Sequence, residues 1–155
     1  MIATIAIYAQ IPNNGLVAWF PFSGDFQDKS ESGIVLDTSA AGSPVLTSDR
    51  NGDANAAYSF DGNTTAFKST TSNLPTGNSD ITISAWIYAL NGGVPRVITK
   101  WGSYELGQNK EIVFYHTSIE GLLYLGLTNG ADSIVVRAPN NASARWFHVA
   151  VVAIS

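Results

Sequence analysis

The 155-residue chain contains no cysteine. That absence excludes disulfides, cysteine-ligated zinc and a thiol nucleophile together. Charge is scarce as well: charged residues make up 13% of the chain, about half the usual share for a soluble domain. Ser, Thr, Asn and Gly must therefore dress the surface, a composition that suits a β-rich extracellular domain better than a cytosolic helical one. The net charge is −4 and no basic cluster occurs. Nucleic-acid binding and a polybasic membrane patch consequently have no electrostatic footprint. No apolar run approaches the ~18 residues of a transmembrane helix, so membrane insertion is not expected. Helical periodicity is nearly missing too: no stretch of a dozen residues keeps apolar positions at i, i+3, i+4 and i+7 without interruption by Gly, Pro or a β-branched residue.

What the chain does have is period-two patterning and turn chemistry. In Ile81 to Leu90, Ile81, Ile83, Ala85 and Ile87 fall on one face, and Thr82, Ser84, Trp86 and Tyr88 on the other. Further strands are expected at Leu16 to Phe22, Ala57 to Phe60, Val97 to Trp101, Ile112 to His116, Leu122 to Thr128, Ser133 to Arg137 and Trp146 to Ile154. Thr65 to Ser69 is a weaker candidate. Asn91-Gly92-Gly93, Asn129-Gly130 and Asp61-Gly62 can supply the positive φ that tight turns need. Asp28 to Asn55 reads as a long connection with apolar patches at Ile34 to Leu36 and Val45 to Leu46, enough for one or two short strands. The pattern predicts an all-β fold, an antiparallel sandwich of two sheets. Met1 to Ala9 (MIATIAIYA) reads as the remnant of a secretory signal, with a cut between Ala9 and Gln10; the competing reading is a first β-strand. Residues 10–155 are then one domain.

Three blocks stand in fixed order: GLVAWFPFSGDFQD from Gly15 to Asp28, YSFDG from Tyr58 to Gly62, and DITISAWIYAL from Asp80 to Leu90. An Asp49-Arg50-Asn51-Gly52-Asp53 turn precedes the second, and WFHVAVV closes the series from Trp146 to Val152. In order and spacing the chain resembles the LamG-like jelly-roll domain of the concanavalin A-like lectin/glucanase superfamily, in its secreted bacterial version. The resemblance implies a jelly roll, an extracellular or cell-surface location, and a recognition role for glycans or an extracellular protein surface beside other domains of a longer polypeptide. Members usually continue past the equivalent of Ser155 with further strands, so the domain reads as truncated.

The superfamily includes retaining glucanases, whose mechanism needs two carboxylates about 5–5.5 Å apart. The four glutamates, Glu31, Glu105, Glu111 and Glu120, have no acidic residue two positions away, and Asp25 and Asp28 lie in an irregular loop. No GxSxG elbow is present. His148, between Phe147 and Val149, reads as a structural, hydrogen-bonded histidine, and His116 as an exposed strand end. The chain is therefore read as no enzyme by itself. The resemblance also implies a structural calcium, for which Asp25 and Asp28 are the first candidates and Asp61 a weaker one, since Gly/Asp-rich loops supply oxygen ligands readily. The alternative reading makes Asp25 and Asp28 turn caps. For sugar contact the candidates are Trp101 and Tyr104, which bracket Gly102-Ser103 at a turn. Trp19 and Trp146, inside apolar runs, are expected in the core. Trp86, opposite the aliphatic face of its strand, is expected either between layers or on an open face.

Overall fold

The computed structural model describes residues 11–38, 42–69, 80–88, 96–100, 111–117, 122–128, 133–139 and 144–154. Among the described residues the regular structure is entirely β-strand, and all pairing is antiparallel. The chain falls into two compact units, Met1–Ser72 and Asn73–Ser155, each described by itself. The expected signal remnant and the turns at 91–93 and 129–130 lie outside the described residues.

The first unit holds little ladder. β1 (Val45–Thr47) pairs with β2 (Ala57–Ser59), Leu46 opposite Tyr58. A single bridge joins Asp37 to Lys68, with N···O distances of 2.7 and 2.8 Å in the two directions. The weaker candidate Thr65 to Ser69 is reduced to that bridge. Leu16 to Phe22, expected as the first strand, is not one. Pro21 has no N–H to give a ladder, and Phe22 adopts φ 58°, a left-handed conformation that ends an extended run. Its polar backbone is satisfied by a loop instead: the Trp19 amide donates to Asp28 Oδ1 at 2.9 Å, and the Trp19 carbonyl accepts from Lys29 N at 2.8 Å. Rings supply the packing. Phe67 lies 5.7 Å from Phe22, 5.1 Å from Phe26, 5.0 Å from Tyr58 and 5.5 Å from Phe60, centroid to centroid. Stacked and edge-to-face pairs at such distances add to simple burial, which helps hold Phe22 in its unfavourable backbone state.

The described residues of the second unit form two sheets. β3 (Ile81–Tyr88) pairs with β8 (Trp146–Ala153) along its whole length. Between them in the chain, β4 (Arg96–Lys100), β5 (Glu111–Thr117), β6 (Leu122–Thr128) and β7 (Ser133–Pro139) form a four-stranded meander in sequence order. The β4–β5 register shifts between Arg96 and Ile98, the signature of a bulge that changes a strand's facing. The β3–β8 register sets Ile83 opposite Val151, Ala85 opposite Val149 and Ile87 opposite Phe147. These residues share one face because side chains alternate along a strand. There Ile83 and Val149 form a buried cluster with Ile112 of β5, against which Val97 of β4 also packs. The two sheets thus share one core.

Ile112, 3% exposed, is the test of that core. Ile112→Ala is expected to cost about 2–5 kcal/mol in urea unfolding through lost burial and a residual cavity. Val152→Ser, on the opposite face of β8 and 65% exposed, is expected to stay within about 0.5 kcal/mol of the parent. Equal effects would contradict the register.

Candidate functional site

The same alternation that buries Ile83 and Val149 turns Thr82, Ser84, Trp86 and Tyr88 of β3, with Trp146, His148, Ala150 and Val152 of β8, to the other face. Direct pairing sets Trp86 opposite His148 and Tyr88 opposite Trp146. The Trp86 and His148 rings lie 5.2 Å apart, tilted by 53°. Those of Tyr88 and Trp146 lie 5.6 Å apart, edge to face at 67°. Ser84 Oγ is 2.9 Å from His148 Nε2, so hydroxyl and imidazole share one hydrogen bond, its direction set by the ring's tautomer. Trp86 is 48% and Tyr88 45% exposed, and Trp146 is half-buried. Four rings therefore gather beside the small side chains of Ser84 and Ala150, making a step between an aromatic block and a low, partly polar floor.

This grouping differs from the sequence expectation at several residues. Trp146 belongs to the open face, not the core, because the register places it with Tyr88 rather than with Val149. Trp86 takes the open-face option. His148 is hydrogen-bonded as expected, but exposed on the sheet. Trp19, expected in the core, is 38% exposed, since its segment is a loop held through the backbone. Trp101 and Tyr104 lie outside the described residues, as does the His116 side chain. The grouping of Trp86, Tyr88, Trp146 and His148 has a sequence signal: both runs carry aromatics at alternate positions, and pairing the runs antiparallel brings the aromatics together.

The expected calcium ligands are engaged with protein donors. Asp28 Oδ1 accepts from the amides of Trp19 and Ser30, and Oδ2 from the Ser30 hydroxyl at 2.8 Å and the Ile34 amide at 2.9 Å. One carboxylate thereby pins the Trp19 backbone and the buried Ile34 to the same loop. Burial pushes this carboxyl up, but the amides of Trp19, Ser30 and Ile34 together with the Ser30 hydroxyl outweigh it, bringing it from 3.8 to about 2. Asp25 Oδ1 accepts from the Gln27 amide at 3.0 Å, and Oδ2 pairs with Lys29 Nζ at 3.1 Å. The Gln27 amide, then the Lys29 hydrogen bond, lower its carboxyl. Asp61 caps its own turn: the Thr64 hydroxyl and the amides of Thr65, Asn63 and Thr64 hold its carboxyl well below the usual range. Gly62 in that turn has φ +73° with open space where a Cβ would sit. The three aspartates accept hydrogen bonds within their own loops, the pattern of turn caps. Among the described residues no group of three or more His, Asp and Glu gathers as metal ligands, and no helix is long and apolar enough to cross a membrane.

No protein-family model, no curated protein and no solved structure matches this chain.

The Asp28 cap gives a signed pH prediction. Its carboxyl is lowered on folding, so the stability it adds is present above 3.8 and is lost as pH falls through about 2. Asp28→Asn is expected to cost about 1 kcal/mol at neutral pH, a figure reduced for the partial exposure of the group. The gap between parent and variant should close between about pH 4 and pH 2. Thermal unfolding across that range checks it; a gap independent of pH would assign the loss to packing instead.

Proposed function

We propose that this chain is a non-catalytic recognition module of a secreted or cell-surface protein, a LamG-like jelly roll that binds carbohydrate or an extracellular surface beside other domains of a longer polypeptide. The observation that carries the reading is the open face of the β3–β8 sheet, where Trp86, Tyr88 and Trp146 stand together next to the Ser84–His148 pair. Exposed aromatic groupings of this kind on a sheet are unusual for a surface with no partner. Rings offer stacking area, and the hydroxyl and imidazole offer both a donor and an acceptor. All-antiparallel strands and a low charge content agree with a β-sandwich module. The non-catalytic reading rests on the sequence, in which no glutamate is spaced for the paired-carboxylate chemistry of a retaining glycosidase.

A glycan array probed with the full chain, alongside Trp86→Ala and Trp101→Ala, tests the reading. Binding is expected, and Trp86→Ala is expected to remove most of it. Binding lost only in Trp101→Ala would move the site to Trp101 and Tyr104. An array without any hit would favour a structural spacer with no sugar affinity. Calcium is tested on the same material. A structural ion at 100 times its dissociation constant adds about 2.7 kcal/mol, so an unfolding midpoint raised by calcium and insensitive to it in Asp25→Asn would assign the cation to this loop. An indifferent midpoint leaves the aspartates as caps.

A further inference from the structure

We propose that the open face of β3–β8 takes an uncharged glycan chain, with two consecutive sugar rings running along the strands, one on Trp86 and the next on the Tyr88–Trp146 pair. The proposal rests on the recognition reading above and narrows its ligand class. Trp86 and Tyr88 are two residues apart on β3, hence about 7 Å apart along the strand, a distance on the order of one sugar residue. The cross-strand partners repeat the spacing on β8, because His148 sits opposite Trp86 and Trp146 opposite Tyr88. The face therefore offers two successive ring positions rather than one isolated aromatic.

Charge selects among the ligands that stack on rings. The open-face residues are Thr82, Ser84, Trp86, Tyr88, Trp146, His148, Ala150 and Val152. None carries a carboxylate, ammonium or guanidinium, and His148 alone can gain a charge. The charged neighbours are the exposed Arg145 just before β8, at the Trp146 end, and the exposed Asp80 just before β3, at the Thr82 end. A polyanionic glycan or a nucleic acid would need a cationic track beside the rings, whereas the chain carries −4 overall. A sugar ring, by contrast, presents an apolar face to an aromatic and hydroxyls around its rim. Ser84 Oγ and His148 Nε2, already 2.9 Å apart beside Trp86, are placed to exchange their mutual hydrogen bond for bonds to such hydroxyls.

The test is titration calorimetry with tryptophan fluorescence on the full chain. The probes are neutral hexasaccharides of β-1,4-glucose, β-1,3-glucose, β-1,4-mannose and β-1,4-xylose, with heparin and polygalacturonate as polyanions. At least one neutral hexasaccharide is expected to bind and perturb the fluorescence. The disaccharide of that series should bind at least tenfold more tightly than its monosaccharide. Trp86→Ala and Tyr88→Ala should each lose tenfold or more, with Val35→Ser, at an exposed position of the first unit, unchanged; the unfolding midpoint of each variant confirms folding, and Trp86→Leu replaces a Trp86→Ala that does not fold. Binding of a polyanion alone would overturn this inference while leaving the recognition reading standing. So would neutral binding that survives both ring deletions, or equal affinity for mono- and disaccharide. Absence of binding to every probe would overturn this inference and the carbohydrate half of the recognition reading, leaving the extracellular-surface half standing.

Discussion

The antiparallel register of β3 with β8 is the constraint on which the second unit depends. Once Ala85 sits opposite Val149, every other pair along the two eight-residue strands follows. Ile83, Ile87, Phe147 and Val151 turn to the core; Trp86, Tyr88, Trp146 and His148 turn away from it. A slip of one residue would send the rings inward and the aliphatics to water. Core and candidate site are thus two faces of one pairing, and the aliphatic face's preference for burial against Ile112 and Val97 is what holds the aromatic face open.

The first unit solves a different problem. Its described residues form two three-residue strands and one bridge, too little ladder to satisfy their backbone. Carboxylates replace strands as acceptors. Asp28 gathers the amides of Trp19, Ser30 and Ile34; Asp49 takes those of Asn51 and Asp53; Asp61 takes those of Asn63, Thr64 and Thr65. In a chain with so few charges, these aspartates are structural groups, and the fold stabilises the ionised form of Asp28 and Asp61. The ring cluster around Phe67 supplies the apolar packing.

Local signals were legible where period and turn chemistry agreed. Leu122–Thr128 appears with its expected ends, and the other strands of the second unit differ from expectation by a residue or two at their boundaries. Leu16 to Phe22 shows where the signal fails. Its apolar residues fit a strand, but a strand also needs a neighbour to pair with, and here Pro21, the turn at Phe22 and the competing acceptor Asp28 withdraw that segment from any ladder. Trp19 is exposed for the same reason.

The sequence by itself determined the class of regular structure, the aliphatic face of β3 and the aspartate turns, because strand alternation and Asx capping act over a few residues. Only the tertiary structure decided which residues form the candidate site. Trp86 and His148 are 62 positions apart in the chain, and a single strand's pattern says which face a residue takes, not which residue of another strand will stand opposite. That choice belongs to the long-range pairing, and the pairing is decided by how the buried faces of two distant strands fit one core.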